Sequence, residues 1–158
     1  MSIDAGQLRA LAIRALVDLD PRLASHEAVD LVLGTAAVES DLGTYLRQVG
    51  GGPALGICQM EPTTYRDIWE SWLAHRPDLV RRLVELGHRR DPTVLEYDLR
   101  HAIVMCRLHY RRVPERLPAL GDVEGMAWYW KRFYNTPRGA GTVDRFCAAW
   151  RKHLGGVS

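Results

Sequence analysis

The sequence predicts a mainly helical fold, and three observations carry that prediction. Apolar residues recur at the 3.6-residue spacing of a helix face in successive segments. Between those segments stand Asp20-Pro21, Pro77, Gly87, Pro114 and Gly139, the residue types that start and stop helices. One stretch, residues 42–56, breaks the pattern with Gly43, Gly50, Gly51, Gly52 and Pro53. A chain of 158 residues, 47% of them hydrophobic, can bury a substantial core without disulfides or metal, so residues 1–158 are read as one domain.

Residues 7–19 place Leu8, Leu11, Ala12, Ala15, Leu16 and Leu19 on one helical face, and Asp20-Pro21 ends the run. Ser25 is an N-cap for a second helix through Val38, with Glu27 in the first turn, where a negative charge suits the helix dipole. This helix is apolar on most sides, as buried helices are. Residues 42–56 read as a loop or small hairpin, whose glycines let the backbone approach a helix or a ligand closely. Pro62 opens a helix through Leu73 that carries Trp69 and Trp72 as core residues, and residues 78–86 form a short helix closed by Gly87. Residues 88–92 read as a basic loop. Residues 93–112 read as a long helix with Leu95, Leu99, Ala102, Ile103 and Cys106 inward and a solvated stripe of Arg100, Arg107 and Arg111. After a proline-containing linker, residues 113–120, Asp122 caps a helix through Tyr134, in which Trp130 counts as one apolar residue among several. Thr142 caps the last helix, through Leu154.

Composition removes several function classes. Cys58, Cys106 and Cys147 lie far apart in sequence and show no zinc or redox spacing, so buried reduced thiols are expected. His26-Glu27 is followed by Asp30 where a metalloprotease helix would need its second His, and no metal or other cofactor is expected. No run approaches the roughly 18–20 apolar residues of a membrane span. Net charge is +2, with only Lys131 and Lys152 among 21 cationic residues not arginine. No nucleic-acid-binding module is recognisable, and the glycine-rich stretch lacks the Lys-Ser or Lys-Thr of a phosphate loop.

The chemistry concentrates at residues 36–64. Glu39 ends a stripe of Ala28, Val32, Thr35 and Ala36, all on its own side of the second helix. Apolar neighbours disfavour the charged carboxylate and raise its pKa, which equips a general acid. Ser40 follows Glu39; Gly56, Ile57, Cys58, Gln59 and Met60 come next, and Tyr134-Asn135 stands near the C-terminus. In this order the marks resemble the lysozyme-like superfamily, and within it the soluble lytic transglycosylase domain with its Glu-Ser, Gly-Leu-Met-Gln and Tyr-Asn-Ala-Gly segments. The resemblance runs from Glu39 to about Gly139. Ile57 and Cys58 stand in place of Leu and Met, and Thr136-Pro137-Arg138 replaces Ala-Gly, so the turn after Asn135 must differ.

The resemblance implies a lysozyme-like α+β fold, a helical bundle with a small β element beside the active-site cleft. It implies cleavage of the β-1,4 bond between N-acetylmuramic acid and N-acetylglucosamine, with Glu39 as catalytic acid and Ser40, Gln59, Met60, Tyr134 and Asn135 shaping the cleft and holding the sugar. A transglycosylase needs one carboxyl group; a hydrolytic lysozyme needs a second, for which Asp41 and Glu61 are the nearest candidates. Each has a plainer role open to it, Asp41 in the loop and Glu61 at the dipole of the helix that follows. The partner is then the peptidoglycan glycan strand. Met1 to Arg14 lacks a secretory signal pattern, so a wall-directed protein is expected to be made in the cytoplasm and to arrive through a membrane lesion or within a phage particle, beside other virion or tail proteins. A wall-binding virion component without catalysis is the alternative from another class.

Overall fold

A computed structural model describes residues 1–156. The first helix, α1 (Ala5–Leu19), starts where Asp4 accepts the Gln7 N–H at 2.9 Å and ends at extended Asp20 before Pro21. Its Leu8, Ala12, Ala15, Leu16 and Leu19 are buried. Helix α2 (His26–Ser40) is capped by Ser25, and eleven of its fifteen residues are buried, which makes it the central element. It packs against α1 and against three later helices, α5 (Leu99–Arg111), α6 (Val123–Trp130) and α7 (Val143–His153). The Arg9–Asp30 pair, at 2.6 Å, fastens α1 to α2. Gly34 leaves the room that the Phe146 ring of α7 fills; a Cβ there would collide with the ring.

The segment between α2 and Glu61 differs from the expected β element. No strand forms among the described residues; two isolated antiparallel bridges, Arg47 with Leu55 and Leu55 with Met60, are all that remains of one. The backbone explains this. Asp41, Leu42, Gly43, Gly50, Gly51, Gly56 and Gln59 all have positive φ, so the extended runs between them are too short to build a ladder. Gly56 is indispensable in this segment, because at φ +79° a side chain would strike the Leu95 carbonyl.

Pro62 opens α3 (Pro62–Asp67), which continues into a π turn, Ile68–Trp72, and a 3-10 turn, Leu73–His75. Trp69 is buried in the core, while half-buried Trp72 lies under the Arg76 guanidinium at 3.9 Å. Helix α4 (Pro77–Glu85) ends at left-handed Gly87. Residues 88–92 are no simple basic loop: His88 is buried and its Nδ1 meets His101 Nδ1 at 2.9 Å, while His101 Nε2 meets the Tyr65 hydroxyl at 2.9 Å.

The helix expected over 93–112 divides. Asp91 caps a 3-10 turn, Pro92–Glu96, and α5 begins afresh where the Asp98 side chain accepts the His101 N–H at 3.0 Å. The arginine stripe is not wholly solvated. Arg107 is 5% exposed and gives its Nε–H to the Leu23 carbonyl at 2.8 Å, serving as a buried strut towards the segment after α1. Helix α6 begins at Asp122, as its capping pattern predicts, but passes into a π turn, Lys131–Asn135. Thr142 caps α7. One hydrophobic cluster joins all these elements, with unpaired Cys58 and Cys106 inside it and Cys147 at its edge. Among the described residues no helix is long and apolar enough to cross a membrane.

Candidate active site

A cleft of about 1200 Å³ opens at the C-terminal end of α2. Glu39 lies half-buried in its lining, on the last turn of the most enclosed helix in the protein. The Trp130 indole, itself 1% exposed, donates its Nε1–H to Glu39 Oε1 at 2.9 Å. Desolvation pushes the carboxyl up to about 7, against the smaller opposing pulls of the Trp130 hydrogen bond and the Arg145 charge. With Oε1 engaged by the indole, Oε2 is the atom left to carry a proton. At neutral pH the group is therefore divided between acid and base forms, the condition for moving a proton in both directions.

Directly after Glu39 the chain reverses. Asp41 and Leu42 both take left-handed φ of 52°, and the N–H groups of both residues return to the Ala36 carbonyl, closing the end of α2. Ser40, named with the sugar-holding residues, is fully buried and outside the cleft lining. Its Oγ lies 2.6 Å from the Ile57 carbonyl and 3.0 Å from that of Ala36, and accepts the Gly43 N–H at 2.9 Å. Its work is to clamp the end of α2 to the segment carrying Gln59.

Four of the other named residues do meet on the cleft: Gln59, Met60, Tyr134 and Asn135. Gln59 is held at φ +47° with both its backbone N–H and its Nε2–H on the Gly56 carbonyl, at 3.0 and 2.9 Å. A non-glycine residue in that conformation costs about 1–2 kcal/mol, which the double anchor offsets. The Tyr134 hydroxyl donates to the Cys58 carbonyl at 2.7 Å instead of to Glu39, and burial holds its pKa well above the ordinary phenol value. Asn135 Oδ1 accepts from Lys131 Nζ at 2.7 Å, and the same ammonium reaches the Gly139 carbonyl at 2.8 Å. Beneath the cleft, Cys58 is raised well above the usual thiol range by its contact with Cys106 and by burial, so no thiolate nucleophile stands there at neutral pH.

The two further carboxylates also line the cleft, but in different states. Asp41 Oδ1 accepts from Lys152 Nζ at 2.7 Å and from His153 Nε2 at 2.6 Å, and these two contacts hold its pKa below the ordinary carboxylate value. Glu61 is exposed and stands before α3 without capping its N–H groups.

No protein-family profile, curated protein or solved structure matches the chain. The site must be read from its own geometry. Among the described residues no group of three or more His, Cys, Asp or Glu side chains is arranged to hold a metal ion.

Sequence reasoning missed Trp130, His109 and the cations Arg138 and Arg145, which line the same cleft. Trp130 sits on an apolar helix face with no mark to separate it from a packing residue. His109 lies 24 residues before the Phe133 carbonyl it meets, and periodicity places it only on a helix. Only the fold brings these groups to Glu39.

Proposed function

We propose that the chain cleaves the β-1,4 glycosidic bond between N-acetylmuramic acid and N-acetylglucosamine in peptidoglycan, as a lytic transglycosylase of the lysozyme-like kind with Glu39 as its one catalytic carboxyl. The observation that carries this reading is a half-buried Glu39, raised to about 7 and oriented by the Trp130 indole, in the lining of a cleft of about 1200 Å³. Glu39 Oε2–H gives its proton to the glycosidic oxygen as the C1–O bond breaks through an oxocarbenium-like state. The carboxylate left behind then takes the proton of the muramoyl 6-hydroxyl, whose oxygen bonds to C1. Glu39 ends as it began, and the product is a 1,6-anhydro sugar, with no water consumed.

A hydrolytic lysozyme would need a second carboxylate to activate water. Asp41 is tied to Lys152 and His153, which weakens its basicity. This supports the single-carboxyl route. Gln59, Met60, Tyr134 and Asn135 form the wall against which the glycan lies, and Ser40 acts from below by fixing the turn after Glu39.

The test is digestion of purified insoluble peptidoglycan by the wild type and by Glu39→Gln, with the released fragments treated with borohydride and weighed. Non-reducible ends, one water lighter than hydrated fragments and absent with the variant, are the expected result. Reducible ends would make the protein a lysozyme and direct attention to Glu61. Binding of the wall without release of fragments would favour a non-catalytic wall-binding component.

A further inference from the structure

His109 stands at the inner side of the cleft with both ring nitrogens engaged. Arg112 Nη2 meets His109 Nδ1 at 2.7 Å, and His109 Nε2 meets the Phe133 carbonyl at 3.1 Å. Arg112 in turn donates Nη1–H to Asp67 Oδ2 at 2.7 Å. A guanidinium only donates and a carbonyl only accepts, so these partners admit a single arrangement: Nδ1 bare, Nε2 protonated, the ring neutral. Burial and the Arg112 charge agree, lowering the His109 pKa to about 4.

The acceptor matters as much as the ring. Phe133 lies in the π turn Lys131–Asn135, at the end of the α6 run, where the last carbonyls have no partner within the helix. His109 supplies one. The next residue, Tyr134, packs its ring edge-on against His109, with centroids 5.0 Å apart, and fixes its hydroxyl on Cys58. Asn135 follows, held by Lys131. The two wall residues contributed by this part of the chain are thus carried on a turn whose backbone is tied to His109 at Phe133.

We propose that His109, locked in its Nε2–H tautomer by the Arg112–Asp67 pair, is a positioning residue for the reaction, setting the π turn that presents Tyr134 and Asn135 to the glycan. The role rests on the glycosidase reading above. His109 exchanges no proton with substrate; it acts through the backbone of Phe133. Misplacement of a substrate-holding wall by about 1 Å costs on the order of a hundredfold in rate, so a loss of this contact is felt mainly in kcat.

The experiment compares His109→Phe, which keeps an aromatic edge for Tyr134 but removes both hydrogen bonds, with His109→Gln, whose Nε2–H can still reach the carbonyl. Kinetics on a soluble glycan oligomer are paired with amide hydrogen exchange over residues 131–136 and with nitrogen NMR of the His109 ring. Expected are the Nε2–H tautomer in the wild type, a kcat loss of about tenfold or more in His109→Phe with faster exchange in the π turn, and substantial rescue in His109→Gln. Equal kcat in wild type and His109→Phe, or an Nδ1–H tautomer, overturns the proposal. If the wild type cleaves no glycan, the glycosidase reading fails, and the tautomer and exchange data then report on the turn by themselves. Unchanged protection of residues 131–136 in His109→Phe would overturn the structural half as well.

Discussion

Glu39 illustrates how one contact serves two ends. Burial raises its pKa, and the Trp130 indole pulls that value partly back while fixing the carboxyl's rotation. Trp130→Phe keeps an aromatic ring beside Phe146 and removes the indole N–H together with part of the indole's volume. The pKa should then rise, because the hydrogen bond that favoured the charged form is gone, and the alkaline limb of the proposed cleavage activity should move from near pH 7 to higher pH. The maximal rate should fall by roughly tenfold as the carboxyl loses its orientation, the scale of a hydrogen bond to a charged group. A limb that stays in place, measured as kcat/KM against pH, would show that the indole does not set the Glu39 pKa.

At the scale of elements, α2 and α7 meet through the absence of a side chain. Gly34 admits the Phe146 ring, and Phe146 packs on Trp130 with centroids 5.6 Å apart, so the spacing of two helices reaches Glu39 through two aromatic rings. Gly34→Ala should destabilise the fold by roughly 1–3 kcal/mol despite the better helix propensity of alanine, read as a lower urea midpoint. An unchanged or raised midpoint would mean that the helices part without cost. Helix starts were legible at Ser25, Asp122 and Thr142, where a short polar residue precedes an apolar run, since capping is a local interaction. Asp98 is such a cap too, but it stands inside a continuing apolar period, and the period hides it. Arg107 was misread because its charge reports nothing about the Leu23 carbonyl waiting across the core. Glu39 and the Gln59 segment were legible from residue order, whereas both π turns, Ile68–Trp72 and Lys131–Asn135, leave no signature in a 3.6-residue pattern.

Across the whole molecule, the buried imidazoles govern the response to acid. His88, His101 and His109 are each lowered by burial to about 4, whereas a free imidazole titrates near 6.5. Between those values the unfolded chain binds protons that the folded chain refuses, so stability falls as pH drops from about 6.5 towards 4. Glu39 works in the opposite sense: the fold holds its proton up to about 7, against 4.5 for a free group, and gains from acidification over that range. Three imidazoles oppose one carboxyl, and the net slope favours unfolding. Urea midpoints taken from pH 8 to pH 4 should hold above 7 and then fall; a flat profile through pH 5 would contradict the buried neutral rings.

Three of the contacts that make the site share one further property. Glu39 and Trp130 are 91 residues apart, Cys58 and Tyr134 are 76 apart, and Asp41 and His153 are 112 apart. Each closes a long loop, whose entropic cost must be met before the contact returns anything, while the helices around them form from neighbours in sequence. During refolding, helical circular dichroism should therefore recover before the proposed glycan cleavage does. Simultaneous recovery would mean that the chain closes its longest loops as early as its shortest.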